Sequence, residues 1–450
     1  MSSEDGVGVE LVDRTLPDLD RTSASVFARD LRTGDRLVAY DESIPQLPAS
    51  NAKLVTAARG FAELGAEFRF TTGLYAAGTR DGERLHGDLI IVGRGAPDLS
   101  RTDLMSLADA VSDSGISTIV GGIVVDASAF DGQTLGPGWT WDDQQFEYGA
   151  KSTPFALNRN TVDITVSHNN GTIEADATPA SNIVRTEVDV DADEEREGTL
   201  SVYKKRASEV IRVEGNVPPG DTLVASSPID DPMLHAGQVF GASLEAKGID
   251  VDGFTRIDAD AALPDCDPLG AVESAPLSEL VGTMLTRSDN FYAEQLARRI
   301  ALERTGCGTW DAWQDHVTSF LETVDGTAAR LRDGSGLSRY NLVSASTIAS
   351  IIEWSIEQPW GDRFYAGIPE TGVEGTVADR LEDVPVTVRA KTGTLTGARA
   401  LSGVIESDAG RPAIVFSCLL SNLTDEYEPD ATDHIDAFVR ELIAESDLDG

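Results

Sequence analysis

The stretch Pro48-Ala49-Ser50-Asn51-Ala52-Lys53-Leu54-Val55-Thr56-Ala57-Ala58-Arg59-Gly60 limits what this chain can be more than any other. It reads as a loop that turns into a helix. Ser50 stands at the start, and Ala, Leu and Val residues of good helix propensity follow. Positions three apart share a helix face, so Ser50 and Lys53 meet, hydroxyl beside amine. A nucleophile beside a base, at the helix end that favours developing negative charge, is a unit of covalent catalysis. Two later stretches, Ser288-Asp289-Asn290 and Lys391-Thr392-Gly393, could complete a site around that pair.

Each short motif is weak alone. With six lysines in the chain, roughly one half of a chance S-x-x-K match is expected. A second match exists, Ser201-Val202-Tyr203-Lys204. It lies in a strand-like run, where positions three apart point to opposite faces, so it cannot form the same pair. Ser167-His168-Asn169 repeats the S-x-N spacing but belongs to a hairpin around Asn170-Gly171. Ser288-Asp289-Asn290 differs, because it falls between two helical runs where a short loop can present both side chains. Lys391-Thr392-Gly393 comes at the end of a strand, where an edge can face a cleft. Two of the six lysines occupy the two motifs that need one.

The 450 residues argue for two or three domains, and 41% hydrophobic content for a globular chain. A net charge of −40, spread along the chain, argues against a nucleic-acid or anionic-membrane partner. Six lysines against thirty arginines on an acidic chain resemble proteins adapted to high salt. Cys266, Cys307 and Cys418 lie far apart, imply no disulfide framework and read as small buried residues. No apolar run approaches the ~20 residues of a membrane span. The start, Met-Ser-Ser-Glu-Asp-Gly, has neither the basic nor the apolar region of a signal peptide, and localisation stays open. His86, His168, His235, His316 and His434 show no metal-ligand spacing.

Residues 1 to about 22 read as a loose acidic lead-in. A hairpin over 25–40 turns at Thr33-Gly34-Asp35, and the Ser50 helix follows. Strands at 68–76 and 88–92, a helix at 104–114 and a buried strand run at 116–125 suggest a small α/β unit. Strands dominate from 161 to about 224, with an acidic solvated tip at 187–197. A helix at 233–247, a strand at 251–257 and a boundary at 265–267 follow. Helices then dominate, at 277–286, 290–303, 309–324 and 345–357. Strands at 386–390, 401–406 and 413–420 lead to a closing helix at 433–444. The expected fold class is therefore α+β. Residues 1–74 and 266–450 form one domain built from both chain ends, and residues 75–265 form an inserted region with a β-rich part near 160–228.

Taken together, the three motifs resemble those of penicillin-binding proteins, and the chain resembles the D-alanyl-D-alanine carboxypeptidase/endopeptidase family among them. This is the low-molecular-mass class with a long insertion between its first two motifs. Gly87-Asp88-Leu89 with Gly93-Arg94-Gly95-Ala96-Pro97-Asp98 is similar to a family segment. So are Trp141-Asp142-Asp143 with Tyr148, Asn158-Arg159-Asn160, Asp333-Gly334-Ser335-Gly336-Leu337-Ser338 and Gly372-Val373-Glu374-Gly375-Thr376. The likeness spans about residues 25–445. It implies a transpeptidase-like catalytic domain in which Ser50 attacks a carbonyl and forms an acyl-enzyme. Lys53 takes its proton, its pKa lowered by burial and by Lys391. Ser288 passes a proton to the leaving amine, and Asn290 binds the substrate amide. Lys391 attracts a terminal carboxylate, with Thr392 and Thr394 as donors. Gly393 lets substrate lie against the strand, and the N–H groups of Ser50 and Thr394 form the oxyanion hole. No chemistry attaches to the loop at 333–338. The implied reaction is hydrolysis of D-Ala-D-Ala or cross-link peptide bonds in cell-wall peptides, with acylation by β-lactams and no cofactor. The alternatives are a related β-lactamase or esterase-like hydrolase and a non-catalytic ligand-binding relative.

Overall fold

The first and last strands of the chain lie in one antiparallel sheet. The structure, a computed structural model, describes residues 8–16, 19, 22–169, 172–191, 198–205, 208–220, 222–324, 329–446 and 448. In order the elements are α1 (Val9–Thr15), β1 (Ser23–Asp30), β2 (Arg36–Tyr40), α2 (Ala52–Leu64), β3 (Thr71–Asp81), β4 (Arg84–Val92), α3 (Arg101–Asp113), β5 (Thr118–Ile119) and β6 (Ile123–Asp126). Then come β7 (Thr161–Asn169), β8 (Thr172–Thr178), β9 (Arg185–Asp191), β10 (Thr199–Lys204), β11 (Val210–Asn216), β12 (Thr222–Pro228), α4 (Pro232–Ala246), β13 (Asp250–Val251), β14 (Thr255–Asp258) and β15 (Gly270–Glu273). The last part holds α5 (Leu277–Thr286), α6 (Asn290–Thr305), α7 (Trp310–Val324), α8 (Ala345–Ile356), α9 (Gly361–Gly367), β16 (Val388–Leu395), β17 (Ala398–Glu406), β18 (Pro412–Ser421) and α10 (Ala431–Glu445).

The five-stranded sheet has the order β16-β17-β18-β1-β2, and β1 joins β18 in register from Ser23↔Ser421 to Asp30↔Ile414. Its strands are apolar on both faces because both faces are covered. Along β18, Ile414, Phe416, Cys418 and Leu420 pack with α1 and α10, while Val415 and Leu419 face the core of α2 and α5–α8. A seven-stranded sheet runs from β3 to β15, its path β13-β5-β4-β3-β15 extended by β6 and β14. Two three-stranded sheets, β10-β11-β9 and β12-β7-β8, close on a small core of Val162, Ile164, Val166, Ile211 and Val213.

Several expectations change. Part of the acidic lead-in is helix α1, because Leu11, Val12 and Leu16 find cover against α10. The strand run at 116–125 breaks into β5 and β6 at Gly121-Gly122. There a Cβ on Gly122 would stand 2.1 Å from the Phe254 carbonyl oxygen. The acidic run at 187–197 begins inside β9, and its remainder lies outside the described residues, as does the Asn170-Gly171 turn. Lys391 sits within β16, which runs on to Leu395. Of the cysteines only Cys418 is buried; Cys266 is exposed in the loop between β14 and β15. Among the described residues no helix is long and apolar enough to cross a membrane.

Candidate active site

Ser50 lies in a single 3₁₀ turn, Ala49–Asn51, that leads directly into α2. The turn begins with Ala49 at a left-handed φ of 45°, an uncommon conformation for a residue with a Cβ. The Asn51 side chain donates to the Lys391 carbonyl oxygen at 2.9 Å and ties the turn to β16. Gly393 allows that approach, since a Cβ there would stand 2.8 Å from the Pro48 carbonyl oxygen.

Lys53, the second residue of α2, is fully buried. Its Nζ donates to Ser50 Oγ at 2.8 Å, Asn290 Oδ1 at 2.7 Å and the Ser335 carbonyl oxygen at 2.9 Å. Burial lowers its pKa to about 8, against the opposing pull of Glu294, Asp333 and Asp289. Lys391, also fully buried, lies well below the ordinary lysine range, first from burial and then from the Lys53 charge. The two ammonium groups disfavour one another's charge, so burial and mutual repulsion act together in this pair. Lys391 Nζ donates to Ser288 Oγ at 2.9 Å and to the Thr392 carbonyl oxygen at 3.1 Å.

The short connection between α5 and α6 presents Ser288 at a left-handed φ of 56° and Asn290 at the start of α6. Asp289 caps α6 by accepting the Tyr292 N–H, and Arg159 pairs with it at 3.2 Å. The Asn290 amide is engaged at both ends. Its oxygen faces Lys53, and its Nδ2 donates to the Tyr148 carbonyl oxygen at 3.0 Å. The hydroxyls of Thr392 and Thr376 are 2.7 Å apart, which places the Gly372–Thr376 segment at the cleft. A cavity of about 340 Å³ is lined by Ser50, Ser288, Thr376, Thr392, Gly393 and Thr394, among others. The eight residues singled out from the sequence therefore gather around one cleft.

The loop at 333–338, left without a role above, supplies the third contact to Lys53. Two buried carboxylates build it. Asp333 accepts from the Gly336 and Ser338 N–H groups, from the Asn341 amide and from Trp139 Nε1. Glu294 accepts the Gly334 and Ser335 N–H groups, each at 2.9 Å. Gly336 sits at φ 90°, where a Cβ would stand 1.8 Å from the Ala49 carbonyl oxygen. Gly336→Ala is expected to cost about 2 kcal/mol or more, because backbone cannot rotate out of the way. Thermal unfolding measures this. A loss below about 0.5 kcal/mol would mean that the Ser50 turn and this loop are not held together.

A serine and a buried lysine on one helix, facing an S-x-N turn and a K-T-G strand, define a serine acyl-transfer enzyme of the penicillin-binding kind. Residues 9–442 match the D-Ala-D-Ala carboxypeptidase 3 (S13) family, and the chain belongs to that family. A D-alanyl-D-alanine carboxypeptidase of Actinomadura sp. (strain R39) is 34% identical over 427 residues, covering 88% of this chain and 78% of that protein. Penicillin-binding protein 4 of Haemophilus influenzae superposes with a TM-score of 0.81 at 25% identity, covering 97% of this chain and 98% of the other. A predatory peptidoglycan endopeptidase from Bdellovibrio bacteriovorus shares the fold, with a TM-score of 0.55 at 15% identity and coverage of 93% and 92%.

Proposed function

We propose that the chain hydrolyses D-Ala-D-Ala peptide bonds of cell-wall peptides through an acyl-Ser50 intermediate, and that β-lactams acylate the same serine. The observation that carries this reading is the 2.8 Å contact between Ser50 Oγ and a fully buried Lys53. An amine with a pKa near 8 is part neutral at physiological pH, so it can take the hydroxyl proton as Oγ bonds to the carbonyl carbon. The N–H groups of Ser50 and Thr394 hold the resulting oxyanion. The C–N bond then breaks, and Ser288, beside Lys391, passes a proton to the departing amine. Asn290 is the contact for the substrate amide, exchanging its internal partners for it.

Lys391 takes the terminal carboxylate with Thr392 and Thr394. An arriving anion supplies the counter-charge that the buried ammonium lacks, so substrate and the Lys391 proton bind together. Gly393 leaves β16 open to substrate backbone. Water then hydrolyses the acyl-enzyme, and the same chemistry serves a terminal D-Ala or a cross-linked peptide. We assign catalysis to a domain of residues 1–74 and 266–450, with 75–265 inserted.

Fluorescent penicillin labelling in high salt, wild type beside Ser50→Ala, tests the proposal. A stable covalent band that the variant lacks is the expected result. A folded wild type that takes no label overturns it.

A further inference from the structure

Beneath Lys53 lies a polar cluster that the reaction above does not use. Glu294 is fully buried on α6, one turn beyond Asn290. The helix that sets the Asn290 oxygen on Lys53 therefore sets Glu294 on the same side. Neither Glu294 oxygen touches Lys53 in a hydrogen bond. Each accepts a backbone N–H, at Gly334 and Ser335, and the Ser335 hydroxyl is a further partner of the carboxyl group. The carbonyl of that same Ser335 receives Lys53 Nζ, and the carbonyl of Gly334 receives Thr56 Oγ1 at 2.7 Å. One carboxyl group on α6 thus holds the N–H groups of two successive residues whose carbonyls both grip α2, while the Gly336 N–H, in the same peptide unit as the Ser335 carbonyl, is held by Asp333. Loop backbone buried without water needs such partners.

Charge gives the same group a second effect. Asp333 is fully buried and accepts from four donors. Glu294 has three, the Gly334 and Ser335 N–H groups and the Ser335 hydroxyl, in the same buried nest. The charged groups facing it are Asp333 from the loop, Lys53 from α2 and Arg298 from its own helix, with Asp289 and Lys391 further round the cleft. Burial and the Asp333 charge raise Glu294 to about 8, the value to which burial lowers Lys53. A charge on Glu294 favours a charged Lys53. A neutral Glu294 favours the neutral amine that can act as a base.

We propose that Glu294 is a positioning residue for the Lys53 base: by holding the Ser335 N–H it fixes the residue whose carbonyl aims the amine at Ser50, and its charge sets how tightly that amine keeps its proton. This rests on the reading of Ser50 and Lys53 given above.

The test is the acylation rate by a chromogenic β-lactam from pH 6 to 10, in wild type, Glu294→Gln and Glu294→Asp. Wild-type acylation should rise with pH through about 8 as Lys53 loses its proton. Glu294→Gln removes the charge and sets an NH₂ against one backbone N–H. Its limiting rate should fall by about tenfold or more, and its rising limb should move to lower pH by about one unit, since a lost negative charge lowers the Lys53 pKa. Glu294→Asp keeps the charge but loses reach. Its rate should fall while its limb stays near that of wild type. A purely structural role would move rates and unfolding temperatures without moving the limb.

If the Gln variant keeps the wild-type limb, the proposal is wrong while the acyl-serine reading stands. If Gln does not fold, Glu294→Met, which removes the charge at similar length, is read in its place: a limb moved to lower pH supports the proposal, and an unmoved one overturns it. A folded wild type that is not acylated at any pH removes both.

Discussion

Lys53→Gln is expected to keep its fold and lose β-lactam acylation by about three orders of magnitude. Glutamine fills most of the lysine volume and can still donate to the Asn290 oxygen or the Ser335 carbonyl oxygen, which the lysine now satisfies. That limits the cost of orphaned acceptors to about 1–3 kcal/mol. It cannot accept the Ser50 proton in the pH range where an amine of pKa about 8 does. Stopped-flow acylation measures the rate, and thermal unfolding shows whether the fold persists. A folded variant acylated within about tenfold of wild type would mean that another group takes the proton, because a positioned base is worth at least about a hundredfold.

The parts of this site that announce themselves along the chain are those where one side chain carries the chemistry. Ser50 and Lys53 share a local spacing, and a helix follows from the residues after them. The turn at Thr33-Gly34-Asp35 marks the β1–β2 hairpin because Gly34 takes a φ of 81° at no steric cost. Glu294 and Ser335 leave no such mark. Glutamate on a helix is ordinarily solvated, and nothing within residues 290–305 says that both flanks of α6 will be covered. Glu294, Gln295 and Arg298 are all fully buried there. Ser335 contributes a backbone carbonyl, a group that every residue has. The Gly-rich run Asp333–Ser338 could be read as a turn, but its use depends on Glu294 and Lys53, which are distant in sequence. Helix α1 was hidden for a related reason. Two turns with three apolar residues become stable only against α10, at the other end of the chain.

Partners distant in sequence also produce the largest expected change in stability, at Arg298. Its guanidinium is fully buried and binds carbonyl oxygens: Gly308 at 2.8 Å, Ser152 at 2.9 Å, Asp131 at 2.9 Å and Gln133 at 3.4 Å. It lies 4.6 Å from the Phe130 ring centre and 5.2 Å from that of Trp310. Burial lowers it only to about 10, so it stays charged at neutral pH. Arg298→Met is therefore expected to cost about 3–5 kcal/mol, since it leaves several buried carbonyls without donors and removes two cation–π contacts. A hydrophobic replacement of a buried ion pair can be neutral when both charges go. Here the acceptors are backbone and cannot be replaced. Arg298→Lys should fall between, because one ammonium cannot span carbonyls arranged around a planar fork. Urea unfolding of the three proteins decides it. A loss under about 1 kcal/mol in the Met variant would mean that water enters and satisfies those carbonyls. The loosening should also reach the site. The 131–133 segment precedes Trp139, and Trp139 holds Asp333, so the Met variant should acylate more slowly than its remaining folded fraction alone explains.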